Sequence, residues 1–177
     1  FQTYNGRYVR AWDGGGSTLD GNAAAASIWE TFSVEAAPME VRLRNKHSGK
    51  CLDVYQAATG DWAKIVQWDC GTQNNQRFLL TRQSDGYYQL KARHSGRCVD
   101  VDWGSTNNQA RIIQYGCHTG NNQRWNLERQ SDGAYLLVAK HSGKAIDVYG
   151  LATHNGADVV QWDKNYGNNQ RFFLERL

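Results

Sequence analysis

HSGKCLDV, His47–Val54, returns as HSGRCVDV at His94–Val101 and as HSGKAIDV at His141–Val148, each copy 47 residues after the last without insertion or deletion. The same step links Gln67, Gln114 and Gln161, and then the NNQR runs that start at Asn74, Asn121 and Asn168. QSDG at Gln83 recurs at Gln130. A unit this short cannot bury its own apolar face, so three units in one frame must share a core. Within a unit the apolar residues come in short bursts: Leu52 and Val54, then Ile65, then Phe78 and Leu80. Their counterparts are Val99, Val101, Ile112, Trp125 and Leu127, and Ile146, Val148, Val159, Phe172 and Leu174. Turn formers such as ATGD, GSTNN and GTQNN separate the bursts, which is the pattern of short strands in an all-β protein. No stretch sustains a helical period, and the run Ala23–Ala26 is too short for a helix. Three four-stranded units around a threefold axis make a β-trefoil, whereas three blades are fewer than a propeller normally uses. The units are expected at approximately 41–87, 88–134 and 135–177, within a domain covering 38–177.

Composition bounds the function. The 177 residues suffice for one well-packed core. Mean hydropathy is a polar −0.71, yet the chain carries 7 Trp, 9 Tyr and 5 Phe. Few aliphatics beside many rings suit a small β core with aromatic surface sites. With 1 Pro against 18 Gly, the turns fall to Gly, Asn and Asp. A net charge of +3, with Lys and Arg spread along the chain, gives no block for nucleic acid or an anionic membrane. No run of eighteen apolar residues exists, so no helical membrane insertion is expected. The chain starts at Phe1, so it reads as a processed chain or a fragment, with room for a catalytic or other domain upstream.

Each unit has an Asp in a Cys-Leu-Asp-Val-like strand, an aromatic 15 residues later, and an Asn-Gln pair just before a second aromatic. This resembles the ricin B-type (R-type) β-trefoil lectins, including the matching carbohydrate-binding modules (family 13) of secreted glycoside hydrolases. The resemblance covers Val41 to Leu177. The Gln-x-Trp element reads Gln123-Arg124-Trp125 in the second unit but Gln76-Arg77-Phe78 and Gln170-Arg171-Phe172 in the others. That ring matches the family's core aromatic, where Phe for Trp changes volume and leaves sugar chemistry alone.

A hexose is a ring of hydroxyls with apolar C–H patches on its faces. Binding it takes a carboxylate that accepts from neighbouring hydroxyls, an amide that gives and takes, and a flat ring under the C–H face. The resemblance assigns the Asp and Asn to the sugar, the aromatic to stacking and the Gln to supporting the Asp. The sets are Asp53, Trp68, Asn75 and Gln76; Asp100, Tyr115, Asn122 and Gln123; and Asp147, Trp162, Asn169 and Gln170. The implied partners are glycans, galactose-type first and xylan or arabinan second. Each carboxylate is expected near the surface. Taken singly, these residues are more often local hydrogen-bonding or packing residues; their joint recurrence in three units argues otherwise.

Cys51 and Cys70 are 19 residues apart, as are Cys98 and Cys117, while the third unit has Ala145 and Lys164 at both equivalent positions. Paired presence and paired absence predict a bridge within each of the first two units, and the resemblance implies the same pairing. Disulfides imply an oxidising compartment, hence a secreted protein. No Cys-x-x-Cys spacing suggests zinc, the histidines His47, His94 and His141 lie in separate turns, and His47, Ser48 and Asp53 are not spaced as a triad. No catalytic residue, metal or cofactor is therefore expected.

Residues 1–37 stand outside the frame. Gly6–Val9 is similar to Gly49–Leu52, but Arg10 replaces the Asp and Asn22 the ring; with the Trp-Glu-Thr-Phe ending at Phe32, the segment resembles a fascin-like trefoil repeat. It reads as a remnant of a preceding trefoil domain, as a piece docked on the core, or as a unit pooled between three chains. Ala36, Ala37 and Pro38 mark the boundary. Function stays open between a lectin or carbohydrate-binding module, part of a glycoside hydrolase, and a protein-interaction trefoil.

Overall fold

The computed structural model describes the backbone of Tyr8–Ala11 and Leu19–Ala23, and residues 38–177 in full. The chain divides into two units, Phe1–Glu35 and Ala36–Leu177. In the first, β1 (Tyr8–Ala11) and β2 (Leu19–Ala23) pair antiparallel, with a register shift between Tyr8 and Arg10. Ala23 lies in β2, so that part of the alanine run is strand. Ala24–Ala26, Phe32 and the Ala36–Ala37 part of the boundary lie outside the described residues.

The second unit is twelve strands in three sets of four. The first set is β3 (Met39–Asn45), β4 (Cys51–Val54), β5 (Ile65–Trp68) and β6 (Phe78–Arg82). The second is β7 (Tyr88–Ala92), β8 (Cys98–Val101), β9 (Ile112–Tyr115) and β10 (Trp125–Arg129), and the third is β11 (Tyr135–Ala139), β12 (Ala145–Val148), β13 (Val159–Trp162) and β14 (Phe172–Arg176). The outer strands of each set pair in a cycle, β3–β6–β7–β10–β11–β14 and back to β3, so the barrel closes with no free edge. The inner strands form three hairpins, joined around the axis by the bridges Lys64↔Ile113, Val66↔Asp158 and Arg111↔Val160. This is a β-trefoil.

Alternation explains the barrel. Along β3, Val41 and Leu43 face the core while Glu40, Arg42 and Arg44 face outward. The 47-residue step then places equivalent side chains in layers, such as Leu43 with Leu90 and Leu137, and Phe78 with Trp125 and Phe172, all fully buried. Trp125 is tolerated there because its indole N–H donates to Val99 O at 3.2 Å. The phenylalanines need no such partner.

The HSG turns and the repeated glutamines sew the units together. Gln114 Nε2 donates to Ala58 O (2.8 Å) and Gly60 O (2.7 Å) in the preceding unit. Gln161 reaches Ser105 O and Asn107 O in the same way, and Gln67 reaches Ala152 O and His154 O, which closes the ring from third unit to first. Each glutamine carbonyl accepts from Ser48, Ser95 or Ser142. The Nε2 atoms of His47, His94 and His141 lie 2.9–3.0 Å from carbonyls of Leu151, Ala58 and Ser105. The histidine turns are thus joints between units.

Disulfides Cys51–Cys70 and Cys98–Cys117 close the first two hairpins, with Cα atoms 5.0 Å apart in each. A loop of this size is worth about 3 kcal/mol in the chain-entropy account. The third hairpin has Ala145 opposite Trp162 and no bridge. Hydrogen exchange in the oxidised protein should therefore be fastest in β12 and β13, and reduction should erase the difference by loosening the other two hairpins. Slowest exchange in the third hairpin would contradict this account.

Candidate functional site

Three clefts open on the hairpin ends, one per unit. The Asp is the third residue of β4, β8 or β12, and all four residues of each of these strands are buried. The chain then turns through a left-handed residue, Gln56, Trp103 or Gly150. A 3-10 turn, Asn74–Gln76, Asn121–Gln123 or Asn168–Gln170, lies beside the strand and presents its two amides to the Asp.

In the first cleft Asp53 Oδ1 accepts from Asn75 Nδ2 at 2.9 Å and Oδ2 from Gln76 Nε2 at 2.8 Å. Gln76 is spent on its own unit, donating also to Asp69 O and accepting from Gly71 N–H. Asn75 Nδ2 donates also to Val54 O, so its carbonyl oxygen is the atom left for a ligand. An amide that both gives and takes is thus narrowed to one that takes. The second cleft repeats the plan, with Asn122 and Gln123 on Asp100 at 2.8 and 2.7 Å. In the third, Gln170 holds Asp147 Oδ2 at 2.9 Å, and Asn169 Nδ2 donates to Val148 O at 3.1 Å.

The carboxylates are not at the surface. Asp53, Asp100 and Asp147 are 5, 3 and 4 % exposed, because the 3-10 turn and the adjacent ring cover the strand end. Burial pushes all three carboxyls above the usual 3.8, and the amide hydrogen bonds pull them partly back. At Asp100 the His118 ring, 3.3 Å from Oδ2, pulls in the same direction as the amides.

Trp68 is 40 % exposed, whereas Tyr115 and Trp162 are half-buried. Sequence reasoning missed their neighbours. Tyr55 stands 6.3 Å from Trp68 and Tyr149 stands 6.0 Å from Trp162, centroid to centroid, so the first and third clefts each have a tilted pair of rings. Both tyrosines directly follow the strand's Val, a signal present in the sequence. The second unit has Asp102 there, bound by Arg111 through Nη2 at 2.6 Å, and its rings are Trp103 and the preceding unit's Trp62. The clefts measure about 530, 250 and 390 Å³ in unit order, and all are open grooves. No cluster of three or more metal-ligating side chains occurs among the described residues.

The pattern of the family described as ricin-type beta-trefoil lectin domain-like matches residues 25–115, 74–162 and 121–177. The chain belongs to this family. Among solved structures it is similar to the designed threefold-symmetric protein ThreeFoil, at 45 % identity and a TM-score of 0.77, over 78 % of this chain and 99 % of that one. It is also similar to 1,3Gal43A, an exo-β-1,3-galactanase from Clostridium thermocellum, at 31 % identity and a TM-score of 0.76; the match covers 91 % of this chain but only 36 % of the galactanase. The ricin B-like lectin of Macrolepiota procera, solved in complex with lactose, shares the fold at 16 % identity and a TM-score of 0.70, over 82 % of this chain and all of that one. A search of curated protein sequences gives no match.

Proposed function

We propose that this ricin-type lectin-like domain is an extracellular, non-catalytic carbohydrate-binding module that engages glycans at three sites built on Asp53, Asp100 and Asp147. One observation carries the reading: in each cleft a carboxylate is fixed at the floor by amide donors, beside an asparagine carbonyl and an accessible aromatic ring. Such a set matches one edge of vicinal hydroxyls and one C–H face. The two disulfides support an oxidising compartment. Likeness to an exo-β-1,3-galactanase over about a third of that enzyme favours galactose-type polymers, with xylan or arabinan second. The first cleft has a second carboxylate, Asp69, but Lys50 and Asn155 engage both its oxygens, so no free acid–base pair flanks a bond there.

Calorimetry with galactose tests the proposal. Each site makes few contacts with a largely solvated ligand, so about −4 to −6 kcal/mol per site is expected, with a stoichiometry near three. A stoichiometry of one would make two constellations structural, and silence towards galactose, xylose and a full glycan array would end the carbohydrate reading.

The pH dependence has a definite sign. A carboxyl raised above 3.8 in the folded protein takes up its proton at a higher pH than a free aspartate. As pH falls through that raised value the sites lose their charged acceptors, so retention on immobilised galactan should drop while ordinary aspartates are still ionised. Folding responds in the opposite sense: these three carboxyls add stability below 3.8 and give it up as pH rises through their raised values. Retention that persists until below 3.8 would contradict the assignment of these carboxylates to the ligand.

A further inference from the structure

The second cleft is unlike the other two. Trp103 is 84 % exposed and packs on Trp62, with ring centroids 5.0 Å apart; Trp62 in turn meets Tyr115 edge-on at 4.9 Å. Three rings from two units therefore form one continuous aromatic surface leading away from Asp100. Trp62 is held firmly in place. Its backbone N–H donates to Gln114 O at 3.0 Å, and the neighbouring Asp61 accepts from Gly116 N–H at 2.8 Å and pairs with Arg97 at 2.7 Å.

Neither tryptophan is required by the backbone. Trp62 and Trp103 have φ of 68° and 55°, in the left-handed region where bulky side chains are disfavoured. The other units meet the same turns with Gln109 and Gly156 in place of Trp62, and with Gln56 and Gly150 in place of Trp103, all at positive φ. Large rings kept at strained positions point to use of the rings themselves.

We propose that the second cleft is an extended subsite, in which the joined faces of Trp62 and Trp103 hold a second, linked sugar residue next to the one over Asp100 and Tyr115. This rests on the carbohydrate reading above and deepens it: the ligand of this site is a neutral glycan of at least two residues. Successive sugars along a glycan each present a C–H face. An aromatic surface adjoining the first ring collects the second face, and because the two indole rings already pack on each other, part of the ordering cost is met before binding.

The test is calorimetry with galactose, β-1,3-galactobiose and β-1,3-galactotriose, and with xylose, xylobiose and xylotriose. It compares the wild type with a Trp62→Gln/Trp103→Gly double variant. The substituted residues are those the other units use at these left-handed positions, and circular dichroism checks the fold. In the wild type one site should gain about tenfold in Kd from monosaccharide to trisaccharide, as one added contact of that strength gives. The double variant should lower that ratio to the value of the other two sites. Asp100→Ala should abolish the length-dependent site, whereas Asp53→Ala and Asp147→Ala should leave it. Equal gain at all sites, no gain, or a ratio that survives in the double variant would overturn the extended subsite while leaving monosaccharide binding, and the carbohydrate reading, intact. Failure of every sugar in both series, and of a full glycan array, to bind the wild type would overturn both.

Discussion

Immobilised galactan should retain the Asp53→Ala, Asp100→Ala and Asp147→Ala variants far less well than the loss of one site in three implies, and should not retain the triple variant at all. Each substitution removes charge-assisted hydrogen bonds worth about 1.5–3 kcal/mol, enough to silence a site that starts near millimolar. Retention then falls disproportionately because linked weak sites multiply through effective concentration, by about 10²–10⁴. The burial of these carboxylates adds a second effect. Removing Asp53 leaves Gln76 Nε2 and Asn75 Nδ2 each without one acceptor in a covered position, at about 1–3 kcal/mol for each orphaned group. The variants should therefore be less thermostable as well as weaker binders, and retention belongs well below their unfolding temperature. Trp68→Ala separates the two effects, since an exposed ring can be lost with little damage to the fold. Strictly proportional loss would show sites that act independently. Full retention of a folded triple variant would show that these aspartates do not bind the sugar.

The fold was largely legible because the repeat is exact in spacing. A step of 47 residues with no insertion places Leu52, Val99 and Ile146 in one layer, and short strands between Gly and Asn turns admit few other architectures. The first strand of each set was harder to read. In the second and third sets Tyr88 and Tyr135 match and follow the QSDG turns, but Val41 in the first set has neither feature to mark it. The Asp–Asn–Gln groupings were legible for the same reason as the fold. Their depth was not, because a polar residue among Leu and Val in a half-buried strand normally faces water, and only the covering 3-10 turn reverses this. Trp62 and Trp103 were invisible to a search for recurrence, since what sets them apart is that they do not recur. Their signal is the reverse one, a large ring where the frame elsewhere has Gln or Gly.

Gln114→Ala should be among the most destabilising single substitutions in the protein. Gln114 is fully buried and makes three side-chain hydrogen bonds: it accepts from Ser95 Oγ at 2.7 Å and donates to Ala58 O and Gly60 O. Truncation removes all three bonds at the seam between the first and second units; Ala58 O keeps the His94 ring at 2.9 Å, while Gly60 O and the Ser95 hydroxyl lose this partner, at about 1–3 kcal/mol for each group that water cannot reach. A total of about 3–5 kcal/mol corresponds to a fall of about 10 °C in Tm for a domain of this size. Gln67 and Gln161 hold the other two seams in the same way, so single variants at all three should behave alike, which surface substitutions would not. Gln114→Glu refines the test. Its carboxylate would face two carbonyl oxygens, and burial together with those dipoles would raise its pKa. A raised carboxyl adds stability below its unfolded pKa and loses it as pH rises through the folded value. The Glu variant should therefore lie below the Ala variant at neutral pH and recover relative to it on acidification. Thermal unfolding of both variants across pH measures this, and an Ala variant within about 0.5 kcal/mol of wild type, the range of an ordinary surface change, would show that the units are not held together by their glutamines.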